Sequence, residues 1–143
     1  MSFSLLIIVP TLNSYTLLPR LVSSLQDQTW QNWRLCFIDG PSSIVHKQWL
    51  DSCCAAEPRC SWIPQDPNQP GIFGAMNQGF SLASPSDWLL FWGSDDWAAT
   101  STVFAEIVAA LELIDSHNTT PDLVVCRGRY VDASSGSLLR STV

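Results

Sequence analysis

The first strong pattern in the chain is a continuous apolar run, Leu5-Leu6-Ile7-Ile8-Val9, stopped by Pro10. A run this short with no polar alternation predicts a strand covered on both faces, as in a parallel sheet. Past the polar stretch Thr11-Leu12-Asn13-Ser14, the residues Leu17, Leu18, Leu21, Val22 and Leu25 recur at helical spacing. They predict a helix reaching about residue 28, capped by Asn13 or Ser14, with Pro19 near its first turn. Apolar character returns in Arg34-Leu35-Cys36-Phe37-Ile38 and ends in Asp39-Gly40-Pro41-Ser42-Ser43, a second strand that delivers an acid to a turn. Ser42 or Ser43 should cap a helix over 44–56 that Pro58 ends, and 60–64 reads as a short third strand.

The segment 65–71 carries Pro67, Pro70 and Gly71 and is expected to be a loop that moves when no ligand holds it. A helix over about 72–82 follows, weakened by Gly74 and Gly79. Residues 88–92 form a fourth apolar strand, which runs straight into Gly93-Ser94-Asp95-Asp96. Thr100 or Ser101 then caps a helix with Val103, Phe104, Ile107, Val108, Leu111 and Ile114 on one face, ending near His117. A fifth strand is expected at 123–126, and a hairpin over 130–139 turns at Ser135-Gly136. This alternation predicts an α/β fold: one Rossmann-like domain over 1–143, with a mostly parallel sheet, helices on both faces and a C-terminal β-hairpin.

Composition narrows the class. With 143 residues, 46% hydrophobic and only 14% charged, the chain can bury a real core. The net charge of −6 and the scattered basic residues argue against a nucleic-acid partner. No apolar run is long enough for a membrane span or a signal sequence, so a cytoplasmic location is expected, with the inner face of a membrane as a site of work. The five cysteines are odd in number and include the vicinal pair Cys53-Cys54, which fits reduced thiols better than a disulfide framework. Seven tryptophans should serve packing first. Any that are exposed would mark a face for self-association or docking, and Trp97 would be the one sugar-stacking platform.

In an open parallel sheet, ligands bind beyond the carboxyl ends of the strands. Those ends carry Thr11 and Asn13, then Asp39, then Asp66 in its loop, then Asp95 and Asp96. Neither a GxGxxG nor a GxxxxGK[ST] phosphate cradle is present, so an acidic rim of this kind would meet phosphates through a hard divalent cation, Mg2+ or Mn2+. A carboxylate such as Asp39 can accept the N3–H of a uracil or thymine ring, and Asp95 can accept from ribose hydroxyls. Each position also has a plainer reading: Asp39 as a turn acid, Thr11 and Asn13 as helix caps, Asp95-Asp96 as a solvated turn.

Taken together, Val9-Pro10-Thr11-Leu12-Asn13, Phe37-Ile38-Asp39-Gly40, Gly71-Ile72-Phe73-Gly74-Ala75-Met76-Asn77-Gln78-Gly79 and Phe91-Trp92-Gly93-Ser94-Asp95-Asp96 resemble the family 2 glycosyltransferases of GT-A fold. The resemblance implies a metal-dependent, inverting transferase that uses a UDP-sugar, or a dTDP-sugar, and an acceptor of unknown type: glycan, lipid or protein. It implies that Pro10, Thr11, Asn13 and Asp39 bind the base. Asp95 would bind the ribose, and Asp96, in the DXD-like pair, the Mg2+ or Mn2+ on the donor diphosphate. Gly71, Ala75, Met76 and Asn77 would line the donor pocket. The chain departs from the family at Gly74, where Gly-Ile-Tyr-Asp-Ala-Met-Asn has an acid, at Gln78, where Lys is frequent, and in the added Pro67 and Pro70. The family's general base lies on an acceptor-binding half beyond the segments matched, so the catalytic residue is unknown. The alternative expectation is a nucleotide-sugar-binding module without turnover of its own.

Overall fold

A computed structural model of the chain describes residues 3–117, 121–132 and 134–142. The chain divides into two compact units, Met1–Glu106 and Ile107–Val143. In the first, β1 (Ser4–Thr11), β2 (Trp33–Asp39), β3 (Cys60–Pro64) and β4 (Asp87–Phe91) form one sheet in the order β3-β2-β1-β4. All three pairings are parallel. The strands are joined by α1 (Leu18–Gln26), α2 (Ile44–Ala56) and α3 (Gly71–Phe80), and α4 (Val103–Asp115) spans the division between the units. The second unit holds an antiparallel hairpin of β5 (Arg129–Val131) and β6 (Leu138–Ser141), with Gly136 at φ +69° in its turn.

The unbroken apolar run of β1 is explained by cover on both faces: Leu5 to Val9 are each at most 1% exposed. Leu6, Ile8, Cys36 and Ile38 pack with Ala75 of α3 on one face. On the other, Phe37 meets Trp49 of α2 edge-on at 6.3 Å between ring centres, and Trp33 meets Phe104 at 6.3 Å. Each such side chain stabilises the fold by roughly 1.5–3 kcal/mol relative to leaving it in water. Gly79 lets α3 come down onto β1, since a Cβ there would overlap the Ile8 side chain. Pro10 is tolerated within β1 because Ile8, two residues earlier, accepts from Trp92 of the β4 side, where pairing stops at Ile8–Phe91. The missing N–H of Pro10 therefore points past the end of the β4 ladder.

Several expectations are corrected. α1 begins at Leu18 with no side-chain cap, and neither Asn13 nor Ser14 caps it: the Ser14 carbonyl accepts from Leu17 and Leu18 N–H instead. Residues 123–126 form no strand. They have no ladder partner among the described residues, and Leu123 and Val125 are 77% and 84% exposed, so apolar content without a neighbouring strand does not suffice there. Hydrogen bonds run within the loop 65–71. Gln65 Nε2 donates to Gln69 O at 2.6 Å and to Gly71 O at 2.7 Å, and the Asp66 carboxylate accepts from Asn68 N–H at 2.9 Å. Of the seven tryptophans, Trp33 is buried and the other six are half-buried. The large apolar side chains open to solvent in the first unit include Leu12, Ile44, Ile72, Phe73 and Phe80.

Candidate functional site

β1 and β2 end in register, Thr11 opposite Asp39, and this pair is the floor of the candidate site. Asp39 is 1% exposed. Its Oδ1 accepts from Thr11 Oγ1 at 3.0 Å and from Ser42 Oγ at 2.6 Å. His46, wholly buried on α2, holds Nε2 3.0 Å from the same oxygen, but without the alignment of a hydrogen bond, and neither ring nitrogen has another partner. Tyr15 stands edge-on to that imidazole at 6.2 Å. The second carboxylate oxygen, Oδ2, is buried and accepts no hydrogen bond from the described residues. A buried charged acceptor left open costs stability unless something donates to it.

The loop after β1 is locked to the loop after β2. Asn13 adopts φ +51°, a left-handed conformation that Asn tolerates better than most residues. Its Oδ1 accepts from Ser43 N–H at 2.8 Å, and its own N–H donates to Ser42 Oγ at 3.0 Å. Ser43 caps α2 by accepting from His46 N–H. Asn13 thus supports the start of α2, the helix that brings His46 to Asp39. Pro10 is half-buried beneath this junction, and Gly40 N–H donates to Thr11 O at 2.9 Å.

On the other side of β1, the chain leaves β4 in a tight turn. Gly93 N–H donates to Asp96 Oδ2 at 2.7 Å, and Asp96 N–H returns to Gly93 O at 3.1 Å. Asp95 and Asp96 are both exposed. Both carboxylates crowd Gly93, where an added Cβ would stand 2.8 Å from Asp95 Oδ1 and 3.3 Å from Asp96 Oδ2. Trp97 cannot offer both faces to a sugar, because the Arg20 guanidinium of α1 stacks 3.4 Å above its ring centre. Beyond it, Ser24 accepts from Ala98 N–H at 3.0 Å, and the buried Gln28 donates to Thr100 O at 2.7 Å and accepts from Phe104 N–H at 2.9 Å. These bonds fasten the post-β4 segment to α1.

The four residues of α3 singled out in the sequence do not share one environment. Gly71, at φ +78°, and Asn77 are exposed, Met76 is half-buried, and Ala75 lies in the core against β1 and β2. Gly74 is pressed against the preceding loop, where a Cβ would overlap the Gln69 carbonyl. Gln78 clamps that loop, accepting from Asp66 N–H at 2.8 Å and donating to Pro64 O at 2.9 Å. Gly74 and Gln78 therefore both meet the same loop, one by close approach to the Gln69 carbonyl and the other by two hydrogen bonds.

As to a metal, no three His, Cys, Asp or Glu side chains cluster to hold one among the described residues. Asp95 and Asp96 still fit a hard cation. They are exposed, acceptor-only groups on one turn, and Mg2+ is commonly held by one or two carboxylates with substrate phosphates and water supplying the rest. The sequence does not single out His46, Arg20 or Gln28, and it offers Ser42 only as a helix cap. The only signal for His46 was its place three residues into a capped helix.

The glycosyl transferase family 2 profile matches residues 6–137. The chain is 35% identical over 106 residues to a PGL/p-HBAD biosynthesis glycosyltransferase of Mycobacterium bovis, covering 72% of this chain and 40% of that protein. The chain thus spans about 40% of the length of the curated relatives it matches. Among solved structures, S. aureus TarS 1-349 in complex with UDP superposes with a TM-score of 0.67 at 22% identity, over 81% of this chain and 33% of that one. The mannosyltransferase PcManGT of Pyrobaculum calidifontis, in complex with GDP-Man and Mn2+, superposes with a TM-score of 0.64 at 16% identity, over 75% of this chain and 32% of that one. These two share the fold.

Proposed function

The chain belongs to glycosyl transferase family 2, and on that premise we propose that it binds a UDP-sugar for transfer of the sugar, with inversion, to an acceptor hydroxyl. The observation that carries the reading is the unpartnered Oδ2 of Asp39, a buried acceptor at the carboxyl edge of the sheet. The N3–H of uracil suits it, while cytosine has no hydrogen there. Thr11, Ser42 and His46 hold the other oxygen, so the carboxylate keeps one orientation. Pro10 and Asn13 shape the loop against which the base would lie, and Asp95 would accept from the ribose. Asp96 would hold Mg2+ or Mn2+, which when bound offsets the charge on the departing diphosphate. Gly71, Met76 and Asn77 would border the donor sugar, with Ala75 supporting them from the core. In the transfer, the acceptor oxygen attacks the anomeric carbon as the bond to the diphosphate breaks, releasing UDP.

A second reading, a donor-binding module without turnover of its own, is favoured by one observation. Asp66, the remaining acid at this edge, has its oxygens bound to Asn68 and Gln69 within its own loop. The test is calorimetric titration with UDP and CDP in the presence of Mn2+. UDP should bind at least about tenfold more tightly, the value of one hydrogen bond to a charged group, and equal affinities would overturn the base-reading role of Asp39.

A further inference from the structure

Buried polar side chains are nearly always hydrogen-bonded, and each exception needs a physical reason. Of the five buried side-chain nitrogen and oxygen atoms without a hydrogen-bond partner among the described residues, four belong to Ser14, Asp39 and His46. The unsatisfied polar interior is thus concentrated where β1 and β2 end, and two of those four atoms are the ring nitrogens of His46. The His46 side chain is 0% exposed, its backbone N–H donates to Ser43 Oγ at 3.4 Å, and Tyr15 meets its ring edge-on. Nε2 lies 3.0 Å from Asp39 Oδ1. Two lone pairs facing each other at that distance, away from water, would repel, and no other partner competes for either ring nitrogen. The ring therefore carries a proton on Nε2.

The three groups around Oδ1 are then not alike. A hydroxyl turns about its C–O bond to donate or to accept, so Thr11 Oγ1 and Ser42 Oγ tolerate either an oxygen or an amide nitrogen at that position. A protonated ring nitrogen only donates. His46 therefore requires that the atom nearest to it be an acceptor, and this requirement decides which end of the side chain at position 39 is left over for a ligand.

We propose that His46 is a positioning residue for donor recognition: it turns an acceptor of the Asp39 side chain toward itself and leaves the second atom of that side chain to read the base. This rests on the base-reading role of Asp39 given above. In a carboxylate the two oxygens are equivalent, so an acceptor is presented to the base in either orientation, and the N3–H of uracil is matched. In an amide they are not equivalent. Asp39→Asn keeps its oxygen toward His46 and presents its NH2 to the base, which matches the bare N3 acceptor of cytosine and opposes the N3–H of uracil. The orientation imposed by His46 thus converts one substitution into a reversal of base preference.

The experiment titrates UDP and CDP, each with Mn2+, into the full wild-type chain, into Asp39→Asn, and into Asp39→Asn combined with His46→Leu. Wild type should prefer UDP by at least about tenfold. Asp39→Asn should reverse the order and prefer CDP by about three- to tenfold, the range of one hydrogen bond between neutral groups. In the double variant nothing orients the amide, and the two nucleotides should bind with nearly equal affinity. Damage to the fold weakens both nucleotides together and does not reverse their order. An Asp39→Asn chain that still prefers UDP or shows no preference, or a double variant that still prefers CDP, overturns the role of His46 while leaving that of Asp39 standing. Equal binding by wild type overturns both. Should a variant not fold, the nitrogen-15 spectrum of the wild-type histidines decides: the chain has two, and His46 is the wholly buried one. Its proton is expected on Nε2, and a proton on Nδ1 alone overturns the proposal.

Discussion

Thr11 and Asp39 are opposite one another on adjacent parallel strands, and Thr11 Oγ1 donates to Asp39 Oδ1 at 3.0 Å. The bond fixes which carboxylate oxygen stays open. Replacing Asp39 with Asn keeps the shape but removes the charge, and UDP affinity should fall roughly tenfold to a hundredfold, the range for a hydrogen bond to a charged group. Thr11→Val should cost less, because Ser42 still holds Oδ1 at 2.6 Å. Calorimetric dissociation constants for the two variants check the order.

Asp96 has one oxygen bound to Gly93 N–H and the rest of its carboxylate facing solvent. Asp96→Ala, or chelation of Mn2+ in the wild type, should weaken UDP binding by at least about tenfold while leaving uridine binding nearly unchanged, since only the diphosphate meets the cation. The nucleoside and the nucleotide compared by titration separate metal loss from damage to the base pocket. Equal loss for both would point to damage.

Gly79 and Gly74 should be intolerant for different reasons. Gly79→Ala drives a methyl into Ile8 of the central strand and should lower stability by about 1–3 kcal/mol, as overpacking does. Gly74→Asp meets Gln69 backbone rather than a side chain, so the 65–71 loop must move to admit it. Urea midpoints measure the first, and protease cutting within 65–71 should rise for the second.

Glu57 gives the fold an acid-side dependence. Its hydrogen bond from Arg59 holds the carboxyl at about 2, against an ordinary 4.5. The folded state therefore binds this proton less readily than the unfolded chain. The stabilisation is fully present above pH 4.5 and is lost as pH falls toward about 2. Partial exposure of Arg59 limits it to roughly 1–3 kcal/mol. Glu57→Gln should flatten this part of the stability curve, read from thermal midpoints across the window.

The sheet was legible because its signals are local and strong. The runs of β1 and β2 read as strands covered twice, Ser43 is the one of two expected caps that serves α2, and Pro58 follows the end of that helix. What escaped depends on partners distant in the chain. Asn13 looks like a cap for the next helix, yet its side chain goes to Ser43, thirty residues on. Residues 123–126 have strand composition, but composition does not supply a neighbour. His46 reads as an ordinary helical residue until the crossover brings α2 across the end of β2. In the same way, nothing local to Gly74 announces that the Gln69 carbonyl will occupy the space of an acid.

Because β4 inserts beside β1 rather than β3, the two sides of the rim arise differently as the chain folds. Asp39 reaches Thr11 through one short crossover. The Gly93 turn takes its place only when β4 pairs with β1, which closes a loop of about 80 residues. Closure at that distance is the slower event. Asp39 is therefore expected to take its place before Asp95 and Asp96 do.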